Sequence, residues 1–264
     1  MRQGPPRRGI LDGMPSGFLD QRGPLAFAHR GGAAHAPENS WPAFERAVGL
    51  GYRYLETDVQ ATLDGALLAF HDRTLDRMTD RTGRIARLAY REVAAARIEG
   101  TERIPLAEDL LAAWPMARFN IDIKDEHAIA PLVRVLRRTG TWDRVCVTSF
   151  SSRRLSAFRR AADRRVCTAL SPLGLAAVRS CAWAGSLSAR LAQVGVQCAQ
   201  IPVRLATPAF LSQLREVGLQ IHVWTVNEPA VMRRLLDRNV DGIMSDDIVA
   251  LRDVLTERDQ WWQP

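Results

Sequence analysis

The stretch LAFAHRGGAAHAPENSWPAFERAVGLGYRYLETDVQ, residues 25 to 60, carries one full turn of the pattern on which the whole chain is built. A short apolar run, Leu25 to Gly31, ends in a histidine and an arginine. A polar loop follows, and the spacing of apolar residues over Trp41 to Leu50 predicts a helix. A second run, Tyr54 to Gln60, then brings in Glu56 and Asp58. A strand, a helix and a second strand in this order imply a parallel pair with a crossover helix.

The rhythm repeats along the chain. Further runs are LLAFHD at 67 to 72, RFNIDIK at 118 to 124, VCVTSF at 145 to 150, CTAL at 167 to 170, AQIPV at 199 to 203, IHVWTVN at 221 to 227 and GIMSD at 242 to 246. Amphipathic segments lie between most of them, at His127 to Thr139, Arg153 to Ala162, Ala209 to Val217 and Pro229 to Arg238. Nine runs fit an α/β architecture in which eight strands close into a barrel and one is an extra. An open doubly wound sheet is the alternative, but polar residues end at least five different runs. Barrels gather chemistry from many strand ends, whereas open sheets use one crevice. The expectation is therefore a single TIM-type (β/α)8 barrel over residues 23 to 264, preceded by a loose arm at 1 to 22. A short insertion at about 73 to 102, after the third strand, is expected to cover the barrel top and to hold a helix from Leu88 to Ile98.

Composition narrows the function classes. With 47% apolar and 25% charged residues the chain has ordinary globular usage and ample core material. No apolar run reaches membrane-spanning length, and the Gly-, Pro- and Arg-rich N-terminus lacks the apolar centre of a secretory signal. Cys146, Cys167, Cys181 and Cys198 show neither CxxC spacing nor the density of a disulfide scaffold, which predicts a reducing, cytoplasmic setting. The net charge of +7 comes from arginines scattered singly and in pairs. That is a solvated face and not a nucleic-acid stripe, so no nucleic-acid partner is expected. Among the 36 basic residues there is one lysine, Lys124, where a compact ammonium stands in place of the planar guanidinium used everywhere else.

The run ends carry the chemistry. Glu56 and Asp58 lie two apart on a strand and so point to one side. Asp122 shares that parity two residues before Lys124. Three carboxylates in a confined space suit a hard divalent ion, Mg²⁺ or Ca²⁺, better than zinc; salt bridging to nearby arginines is the competing reading. His29 and His71 flank the carboxylate strand, and imidazoles near neutral pH can serve as base and acid. Arg30 and Lys124 add the positive charge an oxyanion needs. Together these groups describe phosphoryl chemistry.

The ordered set HRG, PEN, ExD, DG and HD within residues 29 to 72 resembles the glycerophosphodiester phosphodiesterases. Later marks are RIPLAEDLL, NIDIK, Ser149-Phe150, VWTVN and DGIMSDD, so the resemblance spans Ala26 to Leu255. It implies a metal-dependent phosphoric diester hydrolase that acts on a small glycerophosphodiester and releases sn-glycerol 3-phosphate and an alcohol. By position it implies Glu56, Asp58 and Asp122 as metal ligands and His29 and His71 as the acid and base pair. It further implies Arg30 and Lys124 on the phosphate, Glu38 and Asn39 in support, and Trp224 at the substrate. In the family mechanism the glycerol 2-hydroxyl attacks phosphorus and water later opens the cyclic phosphate. Asp122 departs from the commoner glutamate, and Ser40 from the commoner threonine, although either hydroxyl caps a helix. Two alternatives keep the barrel: a lysophospholipase D or sphingolipid-like diesterase, with Trp261 and Trp262 as a peripheral lipid contact, and a non-catalytic binding protein.

Overall fold

A computed structural model of the chain describes residues 17–21, 23–162, 166–180, 191 and 193–262. The strands, in chain order, are β1 Leu25–Ala28, β2 Tyr54–Ala61, β3 Leu67–Ala69, β4 Arg97–Ile98, β5 Glu102–Arg103, β6 Arg118–Ile123, β7 Val145–Thr148, β8 Cys167–Ala169, β9 Val196–Pro202, β10 Gln220–Trp224 and β11 Gly242–Ser245. The helices among the described residues are α1 Trp41–Gly49, α2 Tyr90–Val93, α3 Ala107–Ala113, α4 Ile129–Thr139, α5 Ser152–Ala161, α6 Pro172–Ser180, α7 Pro208–Glu216, α8 Pro229–Asp237 and α9 Ile248–Glu257. Eight strands pair in parallel in the circuit β1, β2, β6, β7, β8, β9, β10, β11, and β1 meets β11 to close it. The expected (β/α)8 barrel is what the chain forms.

Strand parity explains how the barrel is filled. Leu55, Val59, Ile121, Val147, Ile221 and Val223 belong to the large apolar layer shared with the helices. The alternate residues Phe27, Tyr54, Cys146, Cys167, Cys198 and Met244 form a second core inside the barrel. α1 starts where expected, with Ser40 Oγ accepting from the Ala43 amide at 3.3 Å.

Three features refine or correct the expectation. The extra among the nine runs is the third, which does not join the barrel. It folds back on β2 as the antiparallel β3, with Ala61 opposite Leu67 and Val59 opposite Ala69. The turn between them is tied by Thr62 Oγ1, which donates to Asp64 Oδ1 at 2.6 Å and accepts from the Ala66 amide at 2.9 Å. The descending arm brings the Phe70 amide to the Asp58 carbonyl at 2.9 Å, so His71 comes level with the carboxylates of β2.

Second, the insertion stands beside the barrel mouth. Leu68, Phe70, Leu75, Ile85, Val93, Ala96, Ile98 and Ile104 give it a small core of its own. The expected helix over Leu88 to Ile98 shrinks to the four residues of α2, because the Asp80 carboxylate takes the Arg97 amide at 2.7 Å and Arg97–Ile98 pairs as β4 with β5.

Third, the expected arm is anchored from residue 17 onward; residues 1–16 and 22 lie outside the described residues. Phe18 is fully buried in the lower end of the barrel, edge-on to Tyr54 at 5.4 Å. Its carbonyl accepts from the Tyr54 hydroxyl at 2.7 Å and from Arg118 at 3.0 Å. At the same end Trp261 packs edge-on against Tyr52 at 5.0 Å, and Arg53 lies 4.2 Å over the Trp262 ring. Among the described residues no helix is long and apolar enough to cross a membrane.

Candidate active site

At the C-terminal end of the barrel a cavity of about 470 Å³ opens. His29, Arg30, Glu56, Asp58, His71, Asp122, Lys124 and Trp224 all line it, which brings together every residue expected to touch metal or substrate. No residue of the 73–102 insertion does so.

The turn after β1 is the most constrained part. Arg30 has φ 51°, and Gly31 and Gly32 have φ 83° and 100°, all in the left-handed region. A Cβ on Gly31 would come within 2.8 Å of the Ala43 Cβ and 3.0 Å of its backbone. Glycine is required there, and the turn it allows aims the Arg30 amide at Glu56 Oε2, 3.0 Å away.

The carboxylates of β2 and β6 lie against cations. Lys124 Nζ sits between Asp58 Oδ1 at 2.8 Å and Asp122 Oδ2 at 2.7 Å. Arg30 Nε lies 3.1 Å from Asp58 Oδ2 but off the hydrogen-bond line, and the Asn39 amide donates to the same oxygen at 3.0 Å. Burial is the largest influence on Asp58 and opposes its charge, yet Lys124, Arg30 and His71 together hold its carboxyl below the usual range. Glu56 goes the other way. Burial first, and then the Asp58 charge, push it up to about 7. Burial likewise raises Asp122, whose Oδ1 is enclosed without a hydrogen-bond partner.

That imbalance bears on a metal. The donors are all oxygens, Glu56 is short of positive charge, and Asp122 Oδ1 is orphaned, so their chemistry suits a hard divalent ion, although the three carboxylates do not converge within 4.8 Å of one another. Lys124 already neutralises the Asp58 and Asp122 oxygens that face each other. The open donors are therefore Glu56 and the second Asp122 oxygen.

Each histidine is steered by its own carboxylate. His29 Nδ1 is 2.6 Å from Asp246 Oδ1, and Asp246 Oδ2 accepts from the Asn227 amide at 3.0 Å. His29 Nε2 is 3.8 Å from Glu56. Burial works against the charged ring, but Glu56 and Asp246 outweigh it and lift its pKa above the ordinary imidazole value. His71 Nδ1 is 2.6 Å from Asp72 Oδ1. Hydrogen bonds from Arg77, foremost, and from His71 take Asp72 down to about 2.

Behind the cavity wall, Glu38 accepts from Arg30 at 3.0 Å and from Arg77 at 2.6 Å, and Asn39 also accepts from the Thr57 hydroxyl at 2.8 Å. The two supporting residues expected from the PEN motif thus brace Arg30 and Asp58. Sequence reasoning gave no role to Asp72, Arg77, Asn227 or Asp246. Asp72, Asn227 and Asp246 each sit at a run end, which was the available signal; Arg77 lies in the insertion, with none.

The opposite side of the cavity differs in character. Phe150, Leu170, Pro172, Leu175, Pro202, Leu205, Trp224 and Met244 line it, and Arg204 is its one cation. Phe150 stands edge-on to Trp224 at 5.3 Å, with Lys124 Nζ 5.0 Å over its ring. This apolar wall is the largest feature that the motif reading left out.

Comparison with known proteins fits this geometry. The chain is 41% identical over 251 residues to a probable glycerophosphodiester phosphodiesterase 2 of Mycobacterium tuberculosis, covering 92% of this chain and 95% of that one. It is 26% identical to a human lysophospholipase D, over 86% of this chain and 85% of the other. Among solved structures, a putative glycerophosphoryl diester phosphodiesterase from Silicibacter pomeroyi has a TM-score of 0.79 at 23% identity, covering 96% of this chain and 99% of that one. A phosphodiesterase from Oleispira antarctica in complex with the product sn-glycerol-3-phosphate has a TM-score of 0.75 at 22% identity, covering 89% and 97%. The model of the glycerophosphoryl diester phosphodiesterase family matches residues 29–250, and the chain belongs to that family.

Proposed function

We propose that this phosphoric diester hydrolase cleaves glycerophosphodiesters to sn-glycerol 3-phosphate and an alcohol, with His29 and His71 as its proton-transfer pair. The observation that carries the reading is that both histidines line one cavity and both are held through Nδ1 by a carboxylate. That arrangement fixes the tautomer and leaves the Nε2 edge for substrate. Glu56, Asp58 and Asp122 would hold one Mg²⁺ or Ca²⁺. Such an ion supplies charge stabilisation to the phosphoryl oxygens and the attacking hydroxyl.

The chain's own groups do the rest. Arg30 and Lys124 draw the phosphodiester against β1 and β6 by charge-assisted hydrogen bonds. His71, the more open ring at 32% side-chain exposure against 16% for His29, takes the proton of the glycerol 2-hydroxyl as its oxygen bonds to phosphorus. His29, whose pKa is raised above the ordinary imidazole value, gives its proton to the departing alcohol oxygen as the phosphorus–oxygen bond breaks. Water then opens the resulting cyclic phosphate with the two roles reversed. The three described cysteines are free thiols, in keeping with a reducing, cytoplasmic setting.

A second substrate reading rests on the apolar wall, which can receive a hydrocarbon chain. A lysophospholipid keeps the glycerol 2-hydroxyl and presents one such chain, so lysophospholipase D activity uses the same chemistry. The test is a substrate panel followed by ³¹P NMR, with glycerophosphocholine, glycerophosphoethanolamine and lysophosphatidylcholine offered with Mg²⁺ or Ca²⁺ and with EDTA. Glycerol 3-phosphate released from the first two and abolished by EDTA is the expected result. Release of phosphocholine, or turnover unaffected by EDTA, overturns it. Faster cleavage of the acylated substrate favours the second reading.

A further inference from the structure

Below the substrate cavity, the barrel interior holds a cluster the phosphodiesterase chemistry does not use. Cys146, Cys167 and Cys198 stand on the consecutive strands β7, β8 and β9, all free and at most 2% exposed. Cys146 is in register with Cys167, and a shift in pairing between Thr168 and Ala169 sets Cys198 beside them. Among the described residues this group brings three metal-ligating atoms within 4.8 Å of one another. The Cys146 and Cys198 sulfurs are 3.8 Å apart. A tetrahedral ion with metal–sulfur bonds of about 2.3 Å needs its sulfurs about 3.8 Å apart.

The next strand round the barrel carries a buried imidazole, which lies outside that 4.8 Å group and would have to turn toward it to serve as a fourth donor. His222 on β10 is fully buried, and its Nδ1 has no hydrogen-bond partner. Its Nε2 reaches only Gln220, at a long 3.4 Å. Gly242 on β11 makes room for the ring, since a Cβ there would come within 2.9 Å of His222 Cδ2. Three buried thiols alone could be small apolar fillers. A sealed imidazole with an unpartnered nitrogen is not an apolar filler, because a buried polar group is normally paired.

We propose that Cys146, Cys167, Cys198 and His222 form a closed four-ligand site for one zinc ion inside the barrel, separate from the carboxylate site. Sulfur and nitrogen donors select zinc over the hard ions that suit Glu56, Asp58 and Asp122. Three thiolates, a neutral imidazole and Zn²⁺ leave one net negative charge. Arg159 lies close enough to feel Cys146 and Cys198, and it donates to the Thr168 hydroxyl at 2.8 Å and the Ala169 carbonyl at 3.0 Å. None of the four ligands lines the substrate cavity, although Asn120 and Gln200, on β6 and β9, do. The ion would tie together β7 to β10, four of the five strands that carry the apolar wall.

The full chain, produced under reducing conditions in medium supplemented with Zn²⁺, tests this by metal analysis and zinc-edge X-ray absorption. About one zinc per chain is expected, with three sulfur neighbours near 2.3 Å and one nitrogen near 2.0 Å. The variant Glu56→Gln/Asp58→Asn should keep that zinc, and Cys167→Ser and His222→Gln should each retain at least tenfold less. Loading with Cd²⁺ should give a thiolate-to-metal ultraviolet band. Absence of zinc, a coordination shell of oxygens, or a disulfide among these cysteines overturns the proposal. The absorption measurement on the unaltered chain decides the matter even where a variant fails to fold.

Discussion

The two halves of the barrel mouth are built on the same strand–helix repeat and share almost nothing in chemistry. On the side of β1, β2, β3 and β6, every cavity-lining side chain that the mechanism uses is charged or titratable and is braced by a partner. His29 leans on Asp246, His71 on Asp72, Arg30 on Glu38, and Lys124 on two aspartates. On the side of β7 to β11 the lining is mainly apolar, with Phe150, Leu170, Leu175, Leu205, Trp224 and Met244 beside the neutral Thr148, Ser149, Gln200 and Thr225, and with Arg204 as the lone cation. Under the proposed function, the fixed part of a phosphodiester, its phosphate and glycerol, would belong to the braced half, and the variable part, the alcohol, would fall to the apolar half. Changes on the first side should therefore alter rate, and changes on the second should alter choice of substrate.

The largest effect should come from the histidines. His29→Ala and His71→Ala should each lower kcat by about 10² to 10⁴, the contribution of a general acid or base, with the fold intact by circular dichroism. Near-unaltered turnover in either variant would remove the division between the two halves. Next comes Glu56, which titrates at about 7 in the absence of a cation, against 4.5 for an ordinary glutamate. The folded state then binds more protons than the unfolded state between these values, so this group lowers stability as pH climbs from 4.5 to about 7. A saturating divalent cation, or the change Glu56→Gln, should flatten that slope in urea melts. Cation affinity should be steady above pH 7 and weaken about tenfold per unit below it, as proton and metal compete.

Removing a brace should do less than removing the group it holds. Asp246→Asn should cost about 10- to 100-fold in rate, in line with losing a carboxylate that orients a functional histidine. It should also move the His29 titration down toward the ordinary imidazole value, because Asp246 is among the groups that raise it. If His29 is the acid, the falling limb of the rate profile at high pH must shift to lower pH in this variant. A limb that stays put assigns the acid role elsewhere. The smallest effect on kcat should come from Trp224→Ala. That change should alter the preference between glycerophosphocholine and glycerophosphoethanolamine by up to about tenfold through KM. A loss of kcat on both substrates alike would show that the apolar half takes part in the chemistry.

The sequence exposed the braced half far better than the apolar one, for a physical reason. Charged residues at the ends of apolar runs are conspicuous, and the two-residue strand period puts Glu56 with Asp58 and Asp122 with Lys124 on one side. Leucines and prolines such as Leu175 and Pro202 look like any other core residue until the barrel closes and shows which of them faces the cavity. Partners distant in the chain were hidden as well. Asp246 is 217 positions from His29, and only closure of β1 on β11 brings them together. Arg77 had no signal, because its role depends on how the insertion folds beside the mouth. The direction of the third run was also unreadable: an apolar stretch looks the same whether it climbs the barrel or descends beside it.

If His71 belongs to the proposed proton-transfer pair, that descending arm makes chain length a catalytic variable. His71 is carried by a spur that rises with β2, turns through Thr62, Asp64 and Ala66, and comes down again to the level of Asp58. The distance travelled up must equal the distance travelled down. A residue added or lost in the spur would leave the closed sheet untouched, yet it would turn His71 to the wrong face of its strand. The insertion beyond Arg77 is freer, since Arg77 holds Asp72 and Glu38 but nothing in the insertion reaches the cavity. Variation in length can accumulate after Arg77 but not between Asp58 and His71, so the short hairpin works as a ruler and the rest of the insertion as slack.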